Sequence, residues 1–268
     1  MNHNKKNIFI EGLQGSGKST LANKLAKELP DYHFYQEGGI SPVELAWCGY
    51  LNEKQYKEVL SKYPDIAEDI KRYTKVEEDR YIVAYTRILT DYEGFHNHLG
   101  SYEIYDGQVD FPFFRDTIMK RYELFSSYGN LFECSFFQNS IECMMLFYEM
   151  PEDEIVGFYK QAYEILRDKN FRMIYIDSSD IAGNIAQIRK ERADTRGNEI
   201  WFSLMMEYLT KSPYGKRHGY QNGEDLIKHL ECRRRIELRV IDEVIGEKCL
   251  VVKSKEFEMG DVVDIMHS

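Results

Sequence analysis

The sequence reads Gly12-Leu13-Gln14-Gly15-Ser16-Gly17-Lys18-Ser19-Thr20 between an apolar run and an amphipathic segment. The stretch matches the pattern GxxxxGK followed by Ser or Thr, whose glycines let backbone N–H groups turn around phosphate oxygens. Lys18 would reach the β and γ phosphates, and the Ser19 hydroxyl would ligate Mg²⁺. A chance glycine-rich turn is the alternative. The motif therefore predicts ATP and Mg²⁺ as cofactors, bound by Gly12, Gln14, Gly15, Ser16, Gly17, Lys18, Ser19 and Thr20.

The segments around this loop alternate between short apolar runs and longer periodic stretches. The run 7–11 predicts a strand, and an amphipathic helix starts near Lys18 and ends at Pro30. Five such strands separated by helices predict an α/β fold, a parallel five-stranded sheet with helices on both faces. The other expected strands are 33–36, 131–134, 172–177 and 249–253, and long helices are expected over 152–168, 180–193, 200–210 and 224–246.

The region 42–130 gives a less regular pattern. Residues 81–85 fit either a strand or a buried helix, and these two interpretations stay open. Alternation over 102–109 predicts an edge strand, and Pro112 then lies near the start of a helix.

Composition and charge exclude several classes of protein. The chain has 268 residues and a net charge of −10, which argues against broad nucleic-acid binding but not against a small anionic ligand in a local basic pocket. No apolar run approaches the roughly 20 residues of a membrane span. The first residues do not resemble a signal peptide, and the five cysteines, an odd number without CxxC spacing, read as reduced thiols. We therefore expect a cytoplasmic protein that uses neither membrane nor nucleic acid as a partner.

Two motifs that mark other classes of nucleotide-binding protein are missing. The sequence contains neither Asn-Lys-x-Asp nor Leu-Ser-Gly-Gly-Gln, which mark GTPases and transporter ATPases. The opening from Glu11 to Thr20 resembles the thymidylate kinase and deoxynucleoside kinase group, firmly over 7–37 and partially over 130–140 and 180–197. The resemblance implies a three-layer P-loop NTPase fold. The six prolines are spread thinly and no Pro/Gly-rich linker occurs, which predicts a single domain, 1–268. Its expected parts are a nucleotide-binding core (7–37), an acceptor-side insertion (38–130) and an arginine lid (180–200).

Glu37 is the first candidate for acid–base chemistry. It follows the second predicted strand, where a carboxylate would accept the proton of an attacking hydroxyl. In the resembling kinases, the catalytic base begins a Glu-Pro-Val stretch with a Trp downstream. Here four residues separate Glu37 from Pro42, and Trp47 follows. The alternative is a solvated glutamate in a turn.

Glu133 is the second candidate. It lies at the end of the apolar run 131–134, where a buried carboxylate without a partner would be costly, and this favours a role in a site. The resemblance implies that Glu133 helps to place Mg²⁺, so the expected metal residues are Ser19 and Glu133. It also implies an arginine that contacts the substrate at the next position, which here is Cys134. This departure puts that contact, and nucleoside specificity with it, in doubt.

Three arginines form the third element. Arg189, Arg192 and Arg196 have the spacing i, i+3, i+7, which places them on one face of a helix. They resemble the lid that closes over the phosphates and neutralises charge on the transferred group. The alternative is a solvated helix face paired with Glu191 and Asp194. A further run, Arg233 to Arg235 with Arg239, is interpreted as a solvated helix with ion pairs to Glu231 and Glu237.

The expected function is ATP-dependent phosphoryl transfer to a small-molecule acceptor. The resemblance favours a nucleoside or nucleoside monophosphate. Lys18, Arg189, Arg192 and Arg196 would stabilise the transferred group, while Glu37 or Glu133 would orient or deprotonate the acceptor. Two alternatives stay open: a kinase of a non-nucleoside alcohol, such as an antibiotic or metabolite, and an ATP-binding switch with little turnover. The acidic charge disfavours a polynucleotide end kinase, and the oligomeric state, including a homodimer, is left open.

Overall fold

The computed structural model describes residues 5–254, 256, 259–260 and 262. The chain divides into two compact units, one built from residues up to 34 together with residues from 126 onward, and the other from residues 35–125. Each unit has a hydrophobic core of its own. The strands, numbered along the chain, are β1 (Asn7–Gly12), β2 (His33–Tyr35), β3 (Gly49–Asn52), β4 (Thr74–Glu77), β5 (Arg80–Val83), β6 (Asn130–Glu133), β7 (Phe171–Asp177) and β8 (Cys249–Lys253).

The helices are numbered in the same way. The α-helices are α1 (Lys18–Glu28), α2 (Glu53–Lys62), α3 (Ala67–Arg72), α4 (Phe95–Gly100), α5 (Phe111–Leu124), α6 (Gln138–Leu146), α7 (Glu152–Leu166), α8 (Ile181–Glu191), α9 (Ile200–Lys211), α10 (Pro213–His218) and α11 (Gly223–Val240). A π-helical turn (Ile241–Ile245) follows α11.

The first unit contains a five-stranded parallel sheet with helices on both faces. The strand order is β2-β6-β1-β7-β8, so β1 lies in the centre between β6 and β7. This confirms the expected α/β class, and all five strands predicted for the sheet are present. Because neighbouring strands are parallel, the carboxyl ends of β1, β6 and β7 meet at one edge, where ligands bind in open α/β sheets.

The two faces of β1 have different partners, because side chains alternate along a strand. Ile8 and Ile10 pack with Leu21 and Leu25 of α1 in one core. Phe9 lies on the opposite face and contacts a group of aromatic rings, those of Phe132, Phe136 and Phe171. Truncating a buried aromatic ring of this kind costs about 3–5 kcal/mol. Glu11, two positions further along β1, therefore shares the aromatic face.

The second unit contains an antiparallel sheet with the strand order β3-β5-β4. Residues 80–83 form β5, which resolves the open interpretation of 81–85 in favour of a strand. The predicted edge strand over 102–109 is wrong, because Asp106 and Gly107 both have positive φ and turn the chain. The expected helix start near Pro112 is confirmed, with Asp110 capping α5.

The predicted helices of the first unit agree with α7, α8 and α9 to within about two residues. The helix predicted over 224–246 is α-helical only to Val240, where the π-helical turn begins. In the part of the chain that the structure describes, no helix combines the length and the apolar character that a membrane crossing requires.

Candidate functional site

The loop between β1 and α1 lies at the carboxyl edge of the parallel sheet, and two of its glycines are required by close packing. Gly12 has a φ of 143°, and a Cβ there would lie 2.5 Å from the carbonyl oxygen of Ile176. A Cβ on Gly15 (φ 76°) would lie 2.7 Å from Cδ1 of Ile188 in α8. The loop is therefore held between β7 and α8, in a backbone conformation that disfavours other residues.

The helix that follows the loop starts without a side-chain cap among the described residues, since its N-cap is Gly17 in a left-handed conformation. The first N–H groups of a helix have no partner within it and carry the positive end of its dipole. The start of α1 can therefore donate hydrogen bonds to an anion in the loop.

Lys18 holds its ammonium group at the loop. Its Nζ donates to the carbonyl oxygens of Gly12 and Leu13, at 2.8 Å each, and the side chain is buried. An ammonium group has three donors, so these two bonds leave one for a further acceptor. The positive charge is thus fixed beside the backbone that would surround a phosphate.

Ser19 and Glu133, the two predicted metal residues, are in direct contact. The Ser19 hydroxyl donates to Oε1 of Glu133, which is the last residue of β6 and is 3% exposed. A hydroxyl and a carboxylate are both oxygen ligands of the kind that Mg²⁺ takes. Within the described residues, no group of three or more His, Cys, Asp or Glu side chains forms a metal site of its own.

Cys134, at the position of the arginine in the resembling kinases, is buried and has a φ of 54°. Its Sγ donates to Oε1 of Gln138 at 3.5 Å. The thiol therefore faces the start of α6.

Glu37 belongs to the unit formed by 35–125, in the turn after β2. Its Oε1 accepts a hydrogen bond from the indole N–H of Trp47 at 3.4 Å. Arg87 donates to the backbone carbonyls of Glu37 and Gly38, at 3.0 and 3.1 Å. The turn is thus fixed by groups of its own unit, and Glu37 is half-buried in it.

The expectation that Arg189, Arg192 and Arg196 share one helix face is wrong, because α8 ends at Glu191. Asp194 closes a turn there by accepting the backbone N–H groups of Arg196 and Asn198, at 2.8 Å each.

Two of these arginines have aromatic and acidic neighbours. Arg189 pairs with Glu199 at 2.7 Å, and its guanidinium lies 4.1 Å from the ring centre of Phe202. The guanidinium of Arg192 lies 5.3 Å from the ring of Trp201. Glu191 and Asp194 were the acidic partners expected for these arginines on a solvated helix face. In the structure, Glu191 accepts a hydrogen bond from the side chain of Gln187, and Asp194 accepts from the backbone of the turn described above. The role of the three arginines as a lid stays a prediction.

The sequence interpretation missed a buried charged cluster next to the loop. Arg233 was expected on a solvated helix face, but it is fully buried. Its Nε donates to Glu237 at 2.7 Å, as the helical spacing predicted, and its Nη1 donates to Glu142 of α6 at 2.8 Å and to Gln14 at 3.1 Å. The neighbouring arginines do face solvent, with Arg235 paired to Glu152 and Arg239 paired to Asp153 and Glu243.

Glu142 and its second partner, His229, complete this cluster. His229 Nε2 lies 2.6 Å from Oε2 of Glu142. Burial alone would raise the pKa of Glu142, but its interactions with His229 and Arg233 outweigh burial and lower the pKa to about 2. Glu142 is therefore a carboxylate at neutral pH.

Glu11, the residue before the loop, was also missed as a functional candidate. Its side chain is fully buried, and Oε1 accepts from the backbone N–H of Phe136 at 2.7 Å. Oε2 has no hydrogen-bond partner among the described residues. Burial, together with the charge of Glu237, raises the pKa of Glu11 to about 8. An acidic residue at the end of the apolar run 7–11 was the sequence signal for it.

The first unit therefore brings Lys18, Ser19 and Glu133 together at the loop, whereas Arg189 and Arg192 lie on and just after a helix that packs over Gly15. In comparisons with known proteins, the chain matches no family model and no curated sequence.

Proposed function

We propose that this protein is a phosphotransferase that uses ATP and Mg²⁺ to phosphorylate a small-molecule acceptor. One observation carries the proposal: the Lys18 ammonium group lies on the loop carbonyls, and the next residue, Ser19, bonds to the carboxylate of Glu133. A cation and a pair of oxygen ligands thus lie side by side at the start of a helix.

The loop fits the phosphates of a nucleotide. Gly12, Gly15 and Gly17 all have positive φ, a conformation in which backbone N–H groups can turn toward an anion, and the first turn of α1 offers further N–H donors. Lys18 would donate its remaining N–H to a phosphate oxygen and so stabilise negative charge on the transferred group.

The residues also fit Mg²⁺. This ion is bound in phosphotransferases by one or two protein oxygens together with substrate phosphates, and Ser19 and Glu133 supply such oxygens. When bound, Mg²⁺ neutralises charge that develops on the phosphate oxygens. Glu133 would orient the Ser19 hydroxyl toward the ion.

Glu37 is the proposed proton acceptor for the attacking hydroxyl. The indole N–H of Trp47 and the guanidinium of Arg87 limit the movement of its turn. A carboxylate held in one orientation is more effective as a base than a mobile one, because the geometry of proton transfer is already set.

For the acceptor we propose a nucleoside or nucleoside monophosphate, on the resemblance alone. A kinase of a non-nucleoside alcohol is the second candidate, and Cys134 favours it. This buried thiol faces Gln138 and carries no positive charge with which to contact a substrate.

The proposal is tested by measuring ADP release from Mg²⁺–ATP in the presence of nucleosides, nucleoside monophosphates and aminoglycoside-like alcohols. We expect release that depends on one acceptor class. Slow hydrolysis that is the same with every acceptor, combined with different affinities for ATP and ADP, would instead identify an ATP-binding switch. Lys24→Ala is a suitable control for Lys18→Ala, since Lys24 is exposed on the same helix.

A further inference from the structure

Arg233 of α11 is a buried cation that reaches the phosphate-binding loop. The guanidinium is 0% exposed and donates to two carboxylates, those of Glu237 and Glu142. Its Nη1 also donates to the side-chain oxygen of Gln14, the third residue of the loop motif. Nη2 has no partner among the described residues, although a guanidinium has five N–H donors to satisfy.

Such a cluster is a poor way to gain stability. Desolvating charged groups costs several kcal/mol for each ion, and apolar residues of similar volume often stabilise a fold equally well. Buried polar groups in some proteins instead select one arrangement of the chain. Here the cluster would select one conformation of the loop, because Arg233 binds Gln14 although 219 positions separate them in the sequence.

A second tether reaches the loop from the segment after β8. Ser254, just after β8, donates its hydroxyl to the backbone carbonyl of Ser16 at 2.8 Å and its N–H to the carbonyl of Asp177 at 2.7 Å. The carboxylate of Asp177 accepts two hydrogen bonds from Arg234, at 2.6 and 2.7 Å. Two successive arginines of α11 thus connect to the loop by separate routes.

We propose that Arg233 is a positioning residue for the phosphate-binding loop: through Gln14 it fixes the loop backbone in the conformation that binds a nucleotide phosphate. The inference rests on the proposed function. Arg233 is buried within the protein and acts through Gln14. Its planar guanidinium binds Glu237 through Nε while Nη1 reaches Glu142 and Gln14, an arrangement that the single nitrogen of a lysine cannot reproduce.

The test is a double-variant cycle on the affinity for Mg²⁺–ATP, measured by calorimetry on the full chain. Gln14→Leu removes the acceptor but leaves the ion pairs of Arg233 with Glu142 and Glu237 intact. Arg233→Lys keeps the buried positive charge but loses the separate nitrogen donors of the guanidinium. Arg235→Lys is the matched control, because Arg235 is an exposed arginine of the same helix.

We expect each single variant to lower the affinity about tenfold, the lower end of what a hydrogen bond to a charged group contributes. The double variant should bind no more weakly than the weaker single variant, since both remove the same bond. Arg235→Lys should bind as the wild type does. Thermal unfolding of Gln14→Leu should show a protein that is still fully folded at the temperature of the titration, so that the loss of affinity is not a loss of folded protein.

Unchanged affinity in Gln14→Leu, or losses that add in the double variant, would overturn the inference while leaving the proposed function intact. Wild-type protein that does not bind Mg²⁺–ATP would overturn both. If Arg233→Lys does not fold, Gln14→Leu still tests the inference, because an unchanged affinity in a variant that breaks the contact from the loop side would overturn it.

Discussion

The Ser19 hydroxyl donates a hydrogen bond to the Glu133 carboxylate, although 114 positions separate the two residues in the sequence. They meet because β1 and β6 are parallel neighbours, with Ile10 paired to Glu133 in register, and both strands end at the same edge. The start of α1 therefore lies beside a buried carboxylate.

Glu133→Gln should weaken the dependence on Mg²⁺. The amide keeps the shape of the side chain but loses the negative charge, so we expect the concentration of Mg²⁺ needed for half-maximal turnover to rise about 10- to 100-fold. Titrating turnover with Mg²⁺ measures this change. Glu28→Gln is the control, since Glu28 is exposed on α1. An unaltered Mg²⁺ curve in Glu133→Gln would remove this residue from the metal site.

Glu37→Gln should reduce kcat and spare nucleotide binding. General bases contribute about 10²- to 10⁴-fold to a rate, so a loss in this range is expected, with the ATP affinity within about twofold of wild type. Steady-state kinetics and calorimetry give the two values. The exposed Glu93, changed to Gln, serves as the control in the same unit. If turnover persists, the base is Glu133 or another group.

Glu11 makes the stability depend on pH. Its pKa is raised from 4.5 to about 8 by burial, so between these values the folded protein binds a proton that the unfolded chain releases. The contribution of Glu11 is therefore complete below about pH 4.5 and is lost as the pH rises toward 8.

Glu11→Gln cannot ionise, so its unfolding free energy relative to wild type should rise by about 1–4 kcal/mol between pH 5 and pH 8. Denaturant unfolding of both proteins at both pH values measures this difference. The contributions of the other titrating groups cancel, because they are the same in the variant and the wild type. A difference that stays constant with pH would show that Glu11 ionises normally in the folded protein.

The parts of the site that sequence could predict are local. The loop, the strand before it and the helix after it are contiguous, and the pattern over 7–29 contains all three. Glu133 was found because a carboxylate at the end of an apolar run is unusual in itself.

The parts that sequence could not predict depend on long-range contacts. Glu237 lies at helical spacing from Arg233 and was named as its partner, but Glu142 is 91 positions away and Gln14 is 219. The sequence does not reveal these two contacts, and a run of arginines on a periodic segment is by itself typical of a solvated helix. The antiparallel sheet of residues 35–125 was missed in part because β3 (Gly-Tyr-Leu-Asn) and β4 (Thr-Lys-Val-Glu) contain no apolar run of the kind that marks β1, β6 and β7.

The nucleotide assignment depends on whether the loop binds Mg²⁺–ATP through Lys18, and calorimetric titration of wild type, Lys18→Ala and Lys24→Ala measures this. We expect wild type and Lys24→Ala to bind alike and Lys18→Ala to bind about 10- to 100-fold more weakly, because it loses a charged hydrogen-bond donor to the phosphates. Equal binding of Mg²⁺–ATP by Lys18→Ala and Lys24→Ala, or no binding by the wild type, would contradict the assignment of this loop as a nucleotide site.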